Sequence, residues 1–148
     1  MNRYQLRKST KDDLEFLFSL LKSTMMEYYK RTYGYWDDEE ESGYLKKTFS
    51  NSMYMILLVD NKEIGCLALK EDQNSIFIDE IQILPSLQNK GIGSEILNDL
   101  VCRAKIEHKD VNLEVLKTNQ RALSFYKRNG FSITEESETH FRLINSDQ

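Results

Sequence analysis

Proline is nearly missing from this chain: Pro85 stands alone among 148 residues. No linker, repeat or low-complexity stretch is visible either. Cysteine is scarce, and Cys66 and Cys102 lie far apart, each inside an apolar run. That spacing argues against a disulfide or a metal pair and predicts buried free thiols in a reducing compartment. The two histidines, His108 and His140, have no ligand pattern around them, so no metal is expected. No apolar run approaches the ~20 residues that a membrane span needs, and no apolar core follows the basic residues near the start. A cytoplasmic protein without a membrane partner is the expectation. Basic residues form no stripe, and the net charge is −4 with acids and bases mixed, so no nucleic-acid partner is expected.

What is present suffices for one core. The chain is 40% hydrophobic and 30% charged, which fits one globular domain over residues 1–148.

Residues 4–8 alternate as a short strand. Ser9 and Thr10 offer a helix N-cap, and Asp12 and Asp13 suit the first turn. Leu14, Leu17, Phe18, Leu21 and Met25 then recur at helical spacing, and the helix fades near residues 28–30. Asp37 or Asp38 can cap a second helix ending near Phe49. Residues 53–59 and 63–70 read as a hairpin around Asp60-Asn61-Lys62. A turn at 72–74 leads to a strand over 75–84, which Pro85 ends. A helix over 91–106, a strand over 111–116 and a helix over 119–128 follow. Asn129-Gly130 fits a left-handed helix stop, and residues 131–134 and 140–144 form a last hairpin. The unit 75–84, 91–106, 111–116 is a strand–helix–strand crossover, which predicts two parallel strands. Ligands in such sheets bind at the carboxyl ends of the strands, where the loop 85–91 lies.

That loop continues as Gln88-Asn89-Lys90-Gly91-Ile92-Gly93 into a helix. Glycines let a ligand approach the backbone, and the first helical N–H groups lack internal acceptors. Together with the helix dipole they make an anion site suited to a pyrophosphate, and Lys90 adds charge. No Gly-Lys-Ser/Thr follows, and the pattern is not Gly-x-Gly-x-x-Gly. Taken alone, two glycines fit a merely tight turn better than an anion site. The aromatic and acidic run Tyr33-Gly34-Tyr35-Trp36-Asp37-Asp38-Glu39-Glu40-Glu41 also has two explanations. It is a solvated helix start whose acids complement the dipole, or a lip over a cleft that attracts a cation.

The span from Asp79 to Gly93 resembles the acetyl-CoA motif of the GNAT superfamily of N-acetyltransferases. The family pattern is a strand ending in Val/Ile-x-Pro, then Gln/Arg-x-x-Gly-x-Gly/Ala opening a long helix. Asn119-Gln120-Arg121-Ala122-Leu123-Ser124-Phe125-Tyr126-Lys127-Arg128-Asn129-Gly130-Phe131 resembles the second pattern, Asn-x-x-Ala-x-x-Phe-Tyr-x-x-x-Gly-Phe. The resemblance covers residues 75–134.

The resemblance implies an α/β fold with a mostly antiparallel twisted sheet, flanked by helices. One parallel strand pair would be splayed to admit coenzyme A. Backbone groups of Ile81 and Ile83 would pair with the pantetheine arm. Gln88, Asn89, Lys90, Gly91, Ile92, Gly93 and Ser94 would hold the pyrophosphate. Asn119 would bind the cofactor arm, and Tyr126 would sit near the thioester sulfur. The implied reaction is transfer of the acetyl group of acetyl-CoA, the co-substrate, to an amine acceptor. Backbone donors near Ile83 would stabilise the oxyanion, and Tyr126 would act as general acid toward the departing thiolate. Glu80 leads Asp79 as the base, and both would face the acceptor. On strict alternation Glu80 shares a face with Ile76 and Ile78, and Asp79 with Phe77. Tyr33, Tyr35 and Trp36 would form the acceptor wall, suited to a cation. Dimers are common among relatives, so a homodimer is possible. The competing function is a non-catalytic acyl-CoA-binding module, which would not require the Tyr126 hydroxyl.

Overall fold

The computed structural model describes residues 3–145, so residues 1–2 and 146–148 of the expected domain lie outside it. The chain runs β1 (Gln5–Lys8), α1 (Leu14–Tyr33), α2 (Asp38–Asn51), β2 (Met53–Val59), β3 (Lys62–Glu71), β4 (Ser75–Ile83), α3 (Ile92–Ile106), β5 (Asp110–Leu116), α4 (Gln120–Arg128), β6 (Ser132–Glu136) and β7 (His140–Asn145). The strands form one sheet in the order β1-β2-β3-β4-β5-β7-β6. Every neighbouring pair is antiparallel except β4 with β5, which is parallel, as the crossover requires.

Local chemistry sets the boundaries. Asp60 and Asn61 both take positive φ, 52° and 63°, the geometry of a tight hairpin turn between β2 and β3. Helix α1 passes residue 30 and stops at Gly34, where φ is 89° and the N–H donates to the Lys30 carbonyl. Glycine adopts that left-handed conformation without a Cβ penalty. Thr10 caps the helical start as expected, its hydroxyl accepting from the Asp12 N–H at 3.3 Å, and Asp12 and Asp13 lie in the first turn. Asp13 is also tied down by its side chain. It sits in a 3-10 turn, Lys11–Asp13, where its carboxylate accepts from the Thr10 N–H at 2.8 Å and pairs with Arg7 at 2.8 Å.

Two apolar clusters lie on opposite faces of the sheet. One joins Leu57, Leu67, Leu69, Ile76 and Ile78 to Ile96, Leu97 and Leu100 of α3 and Leu123 of α4. The other joins Tyr54, Ile56, Cys66 and Ala68 to Leu17 and Leu20 of α1 and Leu45 of α2. Strand β3 is covered on both sides, so its centre is a run of buried residues without alternation. Cys66 is buried as expected, and burial pushes its thiol well above the ordinary range. Cys102 is exposed, contrary to expectation. In a helix, residue 102 points away from the face that Leu100 and Ala104 bury. Among the described residues no helix is long and apolar enough to cross a membrane.

The pairing of β3 with β4 contains a bulge. Ala68 faces Glu80 whereas Leu69 faces Ile78, so Asp79 is the extra residue. A bulge reverses the alternation beyond it and bends the strand. This overturns the expected face of Glu80. It lies with Ala68 and Cys66 under α1 and α2, while Ile81 and Ile83 join the face of Ile76 and Ile78. The bend also separates β4 from β5. Their pairing runs from Ser75 opposite Asp110 to Ile78 opposite Leu113 and ends there. Beyond it β4 stays with β3, and β5 stays with β7 as far as Leu116 opposite His140.

Candidate active site

A cleft of about 1730 Å³ opens where β4 and β5 part. Ordinary small-molecule sites occupy roughly 300–1,000 Å³, so this cleft has room for a long ligand and a second molecule together. Its walls are residues 77–83 of β4, residues 113–116 of β5, the start of α3, α4, and the inner side of α1.

The backbone of β4 faces this gap in alternation. The Leu84 N–H donates to the Ile64 carbonyl of β3 at 2.8 Å. Backbone groups switch sides at each residue of a strand, so those of Ile83 and Ile81 turn toward β5, where no strand now pairs. One of them is engaged: Gln88 Nε2 donates to the Ile83 carbonyl at 2.8 Å. Gln88 thus braces the loop against the end of β4.

The loop enters α3 through two left-handed residues, Asn89 with φ 65° and Gly91 with φ 85°. The first helical bond at this end runs from the Glu95 N–H to the Gly91 carbonyl at 3.1 Å. The N–H groups of Ile92, Gly93 and Ser94 therefore precede the helical hydrogen-bond pattern and suit an anion. Gln88, Asn89, Gly91, Gly93 and Ser94 all line the cleft. A Cβ on Gly93 would stand 3.0 Å from Phe125 Cζ, so this glycine lets α3 and α4 close up. Two expected residues stand apart. The Ile92 side chain is buried in the core, leaving only its backbone for a ligand. Lys90 is outside the cleft lining, and its carbonyl accepts from Arg3 Nη2 at 2.9 Å. Arg3 also pairs with Glu95 at 3.1 Å and so holds the loop from outside.

Asn119 caps α4, its side-chain oxygen accepting from the Ala122 N–H at 3.1 Å. It also lines the cleft, and its Nδ2 donates to Met25 Sδ at 4.0 Å. Tyr126 follows two helical turns later, only 8% exposed. Phe125 and Phe131 pack edge-on against its ring, with centroids 5.2 and 5.8 Å away. Its hydroxyl makes no hydrogen bond to another described residue. Burial, then the charge of Glu80, push the phenol well above its ordinary range.

The two carboxylates of the bulge differ. Asp79 accepts from the Ser52 hydroxyl at 2.5 Å and lies 3.7 Å from Lys70 Nζ. Glu80 accepts from Gln82 Nε2 at 2.8 Å. Burial pushes the Glu80 carboxyl up to about 7, against the pull of the Gln82 hydrogen bond, and the charge of Asp79 adds to the rise. Glu80 is thus poised to exchange a proton near neutral pH, whereas Asp79 is held by a hydroxyl and an ammonium.

The expected acceptor wall lies elsewhere. Tyr33, Tyr35 and Trp36 do not line the cleft. Trp36 packs on Phe18 and Tyr29 and donates to Asp38 at 2.6 Å, and Tyr33 is 49% exposed. Besides Phe125 and Tyr126, the rings that line the cleft are Tyr28, Tyr29, Tyr44, Phe77 and His140. Tyr29 had a visible signal: it stands four residues after Met25 and extends the stripe of α1. Tyr44 and Phe77 had none, because only the packing of α2 over β4 brings them there.

The sequence profile described as the acetyltransferase (GNAT) family matches residues 20–131. An N-acetyltransferase of Methanocaldococcus jannaschii is 28% identical over 95% of this chain and 66% of its own length. The tRNA(Met) cytidine acetyltransferase TmcA of Haemophilus ducreyi is 32% identical over 44% of this chain and 12% of its own length. The chain therefore spans less than two thirds of these relatives. The PaiA N-acetyltransferase of Thermoplasma acidophilum, solved with coenzyme A, superposes with a TM-score of 0.74 at 21% identity, over 97% of this chain and 98% of that one. The fold is shared over nearly the whole length, the profile takes in both the loop before α3 and the α4 segment, and the chain belongs to the acetyltransferase (GNAT) family.

Proposed function

We propose that this protein transfers the acetyl group of acetyl-CoA to a primary amine by direct attack of the amine on the thioester. The observation that carries this is the split in the sheet. Tyr126 comes from the α3 and α4 face and Glu80 from the α1 and α2 face, and both open on the one cleft. The family to which the chain belongs and the N-acetyltransferases it is similar to support the same chemistry.

In this scheme the pantetheine arm lies between β4 and β5 and bonds to the backbone groups of Ile81 and to the N–H side of Ile83, whose carbonyl is held by Gln88. The pyrophosphate rests on residues 88–94 at the start of α3. Glu80 takes the proton from the incoming ammonium, directly or through a water, leaving a neutral amine. The amine nitrogen bonds to the carbonyl carbon, and charge grows on the oxygen beside the Ile83 N–H. The C–S bond breaks as the intermediate collapses to the amide; Tyr126 protonates the departing thiolate, and the second proton, lost by the nitrogen, restores the phenol through solvent. The acceptor is a small cationic amine or an amine of a peptide. Tyr29, Tyr44 and Phe77 beside Asp79, Glu80 and Glu114 form a wall of rings and carboxylates that suits a cation.

The test is thiol release from acetyl-CoA over polyamines, aminoglycosides, amino acids and peptides. Release is expected with at least one cationic amine. Coenzyme A binding without release for any amine would leave a binding module.

A further inference from the structure

Tyr54 lies on β2, 4% exposed, with its ring 5.6 Å from that of Phe49. Its hydroxyl is the buried side-chain polar atom that lacks a hydrogen-bond partner among the described residues. Buried polar groups are nearly always paired, so this one points to a missing link. Beside it lies a space of about 10 Å³, bordered by Leu17, Leu21 and Leu45, by Cys66, whose thiol is only a weak hydrogen-bonding group, and by Tyr54, Glu80 and Gln82. That is about the volume one water needs. The leucines offer it no hydrogen bond. Glu80 and Gln82 border both this space and the cleft, so they form the partition between the two.

We propose that Tyr54 is a positioning residue for Glu80, its hydroxyl donating to one water in this space, which donates in turn to the Glu80 carboxylate. The inference rests on the role given to Glu80 above. Gln82 and this water would together hold one side of the carboxylate and leave the other side to the cleft. Donors to a carboxylate favour its charged form, so Tyr54 works against the burial that raises Glu80. The other groups that feel Glu80 are Tyr29 on α1, Cys66 on β3, Asp79 on β4 and Tyr126 on α4; Glu41 and Tyr44 on α2 act on Tyr29, and Lys70 on β3 pairs with Asp79. Of these, Tyr29, Cys66 and Tyr126 stay neutral at pH 7, because burial pushes each of them up.

Tyr54→Phe keeps the ring and removes the donor. The experiment follows the Glu80 carboxyl by carbon NMR, assigned through its loss in Glu80→Gln, together with the pH profile of kcat/KM and the melting temperature. In Tyr54→Phe the Glu80 midpoint is expected about half a pH unit higher. The rising limb of kcat/KM should move with it, and the variant should gain no stability. An unmoved midpoint would overturn the proposal, and so would a more stable variant, since removing a truly unpaired buried hydroxyl stabilises. If the midpoint moves while Glu80→Gln keeps the rising limb, the link to Tyr54 stands and the role of Glu80 as base fails.

Discussion

Burial acts on Glu80 and Tyr126 in the same direction, with opposite chemical results. It lifts the Glu80 carboxyl to about 7, where the group can take up a proton and release it again. It lifts the Tyr126 phenol further from neutrality, so the hydroxyl stays protonated and is available to donate a proton, as the proposed mechanism requires. Replacement of Tyr126 by Phe keeps the ring packing on Phe125 and Phe131 and removes only that proton. The expected result is a fall in kcat of about 10²-fold, with coenzyme A affinity changed by less than about 2-fold. Steady-state kinetics and calorimetry separate the two, and equal turnover would remove the role. Both residues were visible in the chain, Glu80 as a carboxylate in an apolar strand and Tyr126 within the family pattern. The side of the sheet that Glu80 occupies was not, because the bulge exists only in the pairing with β3.

The loop between β4 and α3 shows how an element is built around its glycines. Gly91 has φ of 85°, and a Cβ there would stand 3.1 Å from Arg3 Nη2. A branched residue meets strain of order 1–3 kcal/mol in that conformation and also presses on the brace from Arg3. Gly91→Val is therefore expected to weaken coenzyme A binding by about 10-fold or more by distorting the loop. Calorimetry decides this, and unchanged affinity would mean that the loop tolerates the side chain. The turn between β2 and β3 and the stop at Gly130, with φ of 90°, follow from local residues, and the chain announced both. The length of α1 depended on Gly34, a stop signal hidden among aromatic and acidic neighbours. The same neighbours drew attention as an acceptor wall. In the fold they form the junction of α1 and α2, where Trp36 packs on Tyr29 and bonds Asp38.

On the scale of the whole molecule, the parallel pair is the weak seam of the sheet. It joins the β1–β4 half to the β5–β7 half from residues 75 to 78 only, and the rest of the junction is the cleft. A pantetheine arm bonded to Ile81 and Ile83 would close that seam. Coenzyme A at 100 times its Kd is expected to add about 2.7 kcal/mol of stability, or roughly 5–11 °C in Tm. Hydrogen exchange should slow at residues 79–83 in the same experiment. Protection confined to residues 88–94 would show that the ligand binds through its phosphates while the arm lies elsewhere.

The sequence by itself determined the family, the element order and the donor loop. Those depend on short-range patterns: helical spacing, turn residues, and glycines at a helix start. It also singled out Asp79 and Glu80. The tertiary structure decided how they are used. One extra residue in β4 turned Glu80 to the α1 and α2 face, bent the strand away from β5, and left backbone groups of Ile81 and the Ile83 N–H without a strand partner. It set Tyr54, twenty-six residues away in the chain, behind the same carboxylate. The proposed acceptor wall, too, rests on packing, which brings Tyr29, Tyr44 and Phe77 from three separate elements to one cleft. The physical reason is common to all of these. A strand's register and the side chains that meet across a cleft are fixed by partners far along the chain, and no local pattern encodes them.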